Sequence, residues 1–118
     1  MSAMYVIDRA GEGLRQEYVV RLLGEEGELL LATRALPLKT NCYDAIRCVR
    51  SLGVTAENYL LEQRDGQFCF SLRDASASGE PLAISKLYPT AAMCDAAFDE
   101  TLRVAGGADQ MDPSCCTF

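Results

Sequence analysis

Ser85 and Tyr88 stand three residues apart in the stretch AISKLYPT, where a strand-like run gives way to a helix-like one. Two hydroxyls at such a junction could bind a small ligand. They could equally satisfy backbone groups that the change of structure leaves unpaired. A neighbouring pocket holding two or more carboxylates with raised pKa values would favour the ligand.

The chain has no histidine. Nucleophile–base pairs of the Ser-His or Cys-His kind are thereby excluded, as are histidine metal sites. Adjacent carboxylates occur at Glu25-Glu26 and Asp99-Glu100. They read as solvated charge in a turn and on a helix flank. The six cysteines lie at 42, 48, 69, 94, 115 and 116, without a C-x-x-C. Cys42 and Cys94 sit on apolar helical stripes and read as small buried hydrophobes. Cys115 and Cys116 could oxidise or hold a soft metal, but read first as exposed thiols in a loose tail. No cofactor, metal or catalytic residue is assigned. The glycine-rich stretches at 11–13 and 24–27 lack a following lysine and carry acids, so they are turns rather than phosphate cradles.

The elements that carry these residues come in duplicate. GELLLATRALPLKTNCYDAI, from Gly27, aligns without a gap on GEPLAISKLYPTAAMCDAAF, from Gly79. Upstream, Tyr18, Val20 and Leu22 match Phe68, Phe70 and Leu72, while Tyr5 and Ile7 match Tyr59 and Leu61. The expected fold is α+β: a single antiparallel sheet of about six strands with two helices packed on one face, built from two β-β-β-α repeats. One domain spans residues 4–105, with repeats at 4–53 and 57–105 and a flexible tail at 106–118.

Within it, strands are expected at 4–8, 17–23, 28–34, 57–63, 67–73 and 80–86. Tyr5, Ile7, Tyr18, Val20, Leu22, Tyr59, Leu61, Phe68, Phe70 and Leu72 share the inner face by alternation. For the third strands, the alignment favours Leu30 with Leu82 and Ala32 with Ile84. The apolar stripe Cys42, Ala45, Ile46, Val49 and Leu52 predicts a first helix, with Asn41 and Asp44 as a capping box and Gly53 as a left-handed stop. Cys94, Ala97, Phe98, Thr101, Leu102 and Ala105 predict a second, capped by Thr90. Asp65-Gly66 is a hairpin turn.

The second half resembles the YegP-like family: Gly66-Gln-Phe68-Cys-Phe70-Ser-Leu72, then Gly79-Glu-Pro-Leu82-Ala-Ile-Ser85-Lys-Leu-Tyr88, then the helix through Phe98. The first half is more divergent, with Tyr18, Val20, Thr33 and Leu36 at the corresponding positions. The family's asparagine before the turn glycine is replaced by Glu26 and Ser78. The resemblance covers roughly residues 4–105. It implies a small bacterial protein of unassigned role and brings no catalytic residues.

The net charge of -6 disfavours nucleic acid as a partner. No apolar stretch reaches the length of a membrane span, and the start has no signal-peptide pattern. A cytoplasmic protein is expected, with reduced cysteines. The outward neighbours of the core strand residues are Val6, Val19, Leu60 and Cys69, which are weakly polar for a wet sheet face. They point to a non-enzymatic interaction module, acting on a protein partner or on a second copy through the open sheet face or a sheet edge. The alternative is a small-molecule binder or weak enzyme with a pocket near Ser85 and Tyr88.

Overall fold

The structure, a computed structural model, describes residues 2–10, 16–73 and 81–111. Among them the elements run β1 (Met4–Arg9), β2 (Tyr18–Leu23), β3 (Leu29–Ala32), α1 (Lys39–Leu52), β4 (Tyr59–Arg64), β5 (Gln67–Leu72), β6 (Ala83–Ile84), α2 (Ala91–Val104) and β7 (Asp109–Met111). A single 3-10 turn, Ala56–Asn58, leads into β4. The fold is α+β, with one sheet in the order β4-β5-β6-β3-β2-β1-β7.

The sheet has seven strands and is mixed, which corrects the expectation of six antiparallel ones. The difference lies at one edge. Residues 109–111 align in parallel with Met4–Val6, rather than starting a loose tail. The Asp109 N–H donates to the Ala3 carbonyl at 3.3 Å. A three-residue strand made by such backbone bonds needs no apolar alternation, so nothing in its side chains announced it.

The hairpins form where turn chemistry placed them. Asp65 (φ 51°) and Gly66 (φ 79°) join β4 to β5 with both residues left-handed, as a two-residue type I′ loop requires. Between β2 and β3 the Gly27 N–H returns to the Gly24 carbonyl at 2.9 Å, with Gly27 at φ 84°.

One interior holds the molecule together. Tyr5 and Ile7 of β1 face the same side as Leu22 and Val20, their partners on β2. These join Cys42, Ile46 and Val49 of α1, Tyr59, Phe70 and Leu72 of β4 and β5, and Cys94 and Val104 of α2 in a single buried cluster. Both helices therefore cover the same face of the sheet. In the second half the filling is aromatic. Phe98 meets Tyr59 and Phe70 edge-on at 5.0 and 5.4 Å between ring centroids. Each such pair contributes about 1 kcal/mol beyond burial.

The third strands differ from the alternation expected of them. Leu22 pairs with Leu31 and Leu23 with Leu29, so Leu30 is an extra residue. This bulge turns consecutive side chains inward, and Leu30 and Leu31 are both buried. Ala32 is half-buried, while Ile84 is exposed beside buried Ala83. Leu61, expected inside, is also exposed.

The helical stripes form as expected, but not every terminus does. Thr90 caps α2, its hydroxyl accepting the Met93 N–H at 3.2 Å. Helix α1 starts after Leu38 without a side-chain cap. Asp44 pairs with Arg47 at 3.0 Å instead of closing a capping box with Asn41. Gly53 is right-handed (φ -73°), so it is not a left-handed stop. Space explains it better. A Cβ there would lie 2.5 Å from the Val49 carbonyl and 3.1 Å from the Ala105 Cβ.

Candidate functional site

Ser85 turns inward to the backbone. The Phe70 N–H donates to its Oγ at 2.9 Å, and the hydroxyl donates to the Lys86 carbonyl at 2.8 Å. Thr33 makes the matching pair: it accepts from the Val20 N–H at 3.0 Å and donates to the Arg34 carbonyl at 2.9 Å. Both hydroxyls are committed to holding a strand to its neighbour. Of the two motif residues, only Tyr88 offers a polar atom to open space.

Tyr88 is fixed by its backbone, which exchanges hydrogen bonds with Phe68 at 2.7 and 2.8 Å. Its ring stacks on Phe70 at 6.4 Å between centroids. The residue is only 5% exposed, and its hydroxyl, which bonds to no other described residue, keeps access to the cleft. Burial pushes its pKa up to about 12, with the negative neighbours Cys94, Glu28 and Glu100 adding to the effect. Tyr88 lines a cleft of about 260 Å³ with Glu28, Leu30, Lys86, Met93 and Glu100.

The two glutamates come from a hairpin and a helix. Glu100 Oε2 accepts the Glu25 N–H, and Glu28 Oε1 the Glu26 N–H, each at 3.1 Å. Gly24 lies beneath them, where a Cβ would meet an oxygen of each carboxylate at 2.3 Å. Burial raises the Glu100 pKa. The Glu25 amide opposes that shift, the charge and hydrogen bond of Glu28 reinforce it, and Arg103 lowers it. Arg103 is itself bound to Glu25 at 2.9 Å. Sequence reasoning treated Glu100 as surface charge and passed over Glu28. The available signal was positional: Glu100 lies beside Ala97 and Thr101 on the packed side of its helix.

A second open feature is the β4 edge. The Arg73 N–H donates to the Asn58 carbonyl at 2.9 Å, and the same register pairs Leu60 with Ser71, Glu62 with Cys69 and Arg64 with Gln67. Bonded pairs alternate in an antiparallel ladder. The N–H and C=O groups of Leu61 and Gln63 therefore point away from β5, as does the Tyr59 carbonyl, while the Tyr59 N–H is taken by the Ala56 carbonyl of the turn before it. No strand among the described residues pairs with that side. Leu60 and Leu61 are 43% and 49% exposed. Between this edge and the start of α2 lies a groove of about 240 Å³, whose walls include Leu61, Gln63, Phe68, Ala91, Cys94 and Asp95. Burial raises the Cys94 thiol pKa.

The four outward residues do not form one patch. Val6 and Val19 are half-buried neighbours on β1 and β2, diagonal to the Asp8–Arg21 ion pair. Leu60 lies five strand spacings from β1, or about 24 Å. Cys69, on interior strand β5, is 2% exposed rather than open to solvent, and it lines the groove beside Leu61. Cys115 and Cys116 lie outside the described residues. Among the described residues no group of three or more acids and cysteines could hold a metal. No described helix is long and apolar enough to cross a membrane.

The architecture is that of a YegP-type α+β domain. The chain is similar to the solution structure of YegP from E. coli, a protein of unknown function, with a TM-score of 0.83 and 20% identity over 96% of this chain and 94% of that one. It is similar also to a UPF0339 protein from Shewanella oneidensis, with a TM-score of 0.82 and 18% identity over 95% of this chain and 92% of that one. The resemblance read from the second half thus holds at the level of the fold. No family model and no curated protein sequence matches the chain.

Proposed function

We propose that the protein is a non-enzymatic interaction module that accepts an extended segment of a partner protein along the β4 edge. One observation carries this reading: Leu61 is 49% exposed on an unpaired edge strand, while Ile7, its counterpart in the first half, is 0% exposed. Edge strands that display apolar side chains and free backbone groups are templates for another strand. In strand addition the backbone bonds supply affinity, and pockets for alternate side chains supply specificity.

The molecule already contains a model of the reaction. The opposite edge, β1, is covered in parallel by the chain's own Asp109–Met111. On the β4 side, Leu61 and Gln63 offer the equivalent backbone groups, and the groove beside Leu61 seats one apolar side chain. Asp95 on its rim favours a basic residue next in the segment. The preferred partner is therefore an extended apolar segment with a flanking Lys or Arg. The duplicated β-β-β-α plan supports this reading, because the two halves would share one interior while their outer edges carry different loads. The matched bonds of Thr33 and Ser85 are what such a duplication would leave.

Selection from a displayed library of octapeptides tests the proposal. Binders with alternating apolar residues and one basic residue are expected, and Leu61→Lys is expected to abolish their binding. Selected peptides that bind Leu61→Lys undiminished would defeat it. Binding only to a second copy of the chain, seen by sedimentation and lost in Leu61→Lys, would assign the edge to self-association instead.

A further inference from the structure

We propose that the cleft between β3 and α2 binds a primary ammonium group, held by the carboxylates of Glu28 and Glu100 with the Tyr88 hydroxyl as a third oxygen. The ligand is an alkylamine or a lysine-like side chain. This is separate from the β4 edge and stands or falls without it.

Two independent observations converge on the cleft. The first is a pair of carboxyl groups from β2–β3 and α2 that meet over Gly24, each with an oxygen 2.3 Å from where a Cβ on that glycine would lie. Each accepts one turn amide, Glu25 for Glu100 and Glu26 for Glu28, which leaves further lone pairs. Arg103 is engaged with Glu25 at 2.9 Å. The second is Tyr88, from the β6–α2 connection, a residue only 5% exposed whose hydroxyl opens on the cleft and bonds to no other described residue. Holding the hairpin explains the glutamates but not this hydroxyl.

An ammonium group answers both. It carries three N–H donors and no acceptor, which suits a cleft lined by two carboxyl groups and a hydroxyl. Its charge relieves the repulsion between two carboxylates. Leu30, Met93 and Ala97 supply apolar wall for an alkyl stem. Lys86 lines the same cleft, its Nζ 5.4 Å from the centroid of the Tyr88 ring, so an incoming ammonium must compete with it for the carboxylates. The net charge of -6 attracts cationic ligands generally.

The test is an NMR titration of the full chain, following the Glu25 and Glu26 amides, with n-butylammonium, 1,5-diaminopentane and Nα-acetyl-lysine methylamide. Tetramethylammonium, which has no N–H donor, is the control. Saturable shifts at both amides are expected with the primary amines and not with the control. Glu100→Gln is expected to weaken n-butylammonium binding about tenfold, the scale of one charge-assisted hydrogen bond. Tyr88→Phe is expected to weaken it about threefold, the scale of a neutral one. Tighter binding of the lysine derivative would make a protein side chain the natural ligand; tighter binding of the simple amines would favour a free metabolite. No saturation up to about 50 mM, an equal response to tetramethylammonium, or unchanged affinity in Glu100→Gln would overturn the proposal. Should Glu100→Gln fail to fold, Tyr88→Phe decides alone, and unchanged affinity there overturns it.

Discussion

The Tyr59 hydroxyl donates to the Gly53 carbonyl at 2.8 Å, tying a strand of the second half to the end of the first helix. Tyr5 does the converse, bonding to the Ala105 carbonyl at the end of the second helix. The halves are thus locked crosswise, and burial raises the pKa of both phenols. Tyr59→Phe keeps the ring and removes only the bond. A loss of about 1–2 kcal/mol is expected in urea unfolding, because a buried carbonyl is left without its donor. Tyr5→Phe should cost a similar amount.

Gly53→Ala is expected to destabilise by about 1–3 kcal/mol, since the added methyl meets Val49, Tyr59 and Ala105 at once. Gly107 is the control: a Cβ there has no heavy atom within 4 Å. Gly107→Ala should leave the melting temperature unchanged or raise it slightly. Equal losses in the two variants would contradict the packing described.

Ser85→Ala and Thr33→Val each leave a buried amide, of Phe70 and Val20 respectively, without its side-chain acceptor. Each should cost about 1–3 kcal/mol. The exchange Ser85→Thr should be far milder, because threonine already makes the same two bonds at position 33. Denaturant midpoints decide the order.

The pH dependence follows from Glu100. Its folded pKa lies above the ordinary carboxylate value, so the folded state holds a proton more tightly than the unfolded one. Stability from this group falls as pH rises from the ordinary carboxylate range through the raised pKa, and stays reduced above it. Glu100→Gln retains an acceptor for the Glu25 amide and removes the charge. The variant should melt higher than the parent at pH 7.5, and the gain should shrink as pH falls through the raised pKa. A gain that grows on acidification would reverse the sign and contradict a raised Glu100 pKa.

Much of this molecule can be read before it is seen. Alternation along Phe68, Phe70 and Leu72, the Asp65-Gly66 turn, the Thr90 cap and both helical stripes are local signals, and local physics decides them. What escaped depends on neighbours. Leu61 is in phase with the core but sits on an edge strand that α2 leaves uncovered. Cys69 alternates outward yet lies on an interior strand, where little surface remains. The bulge at Leu30 adds one residue and defeats any strict period-two reading. Of the candidate sites, Tyr88 was visible as a motif residue. The meeting of Glu28 with Glu100 joins a hairpin to a helix 72 residues away, and no local pattern encodes it.

Strand addition at the β4 edge is tested most directly by amide hydrogen exchange, residue by residue. In the free protein the amides of Leu60, Glu62 and Arg64 should be protected by β5, while those of Leu61 and Gln63 exchange fast. Binding of a selected peptide should slow the second set about tenfold or more, leaving the first set unchanged. A peptide that binds without slowing Leu61 and Gln63 would show that the partner sits elsewhere, and the proposed docking edge would be wrong.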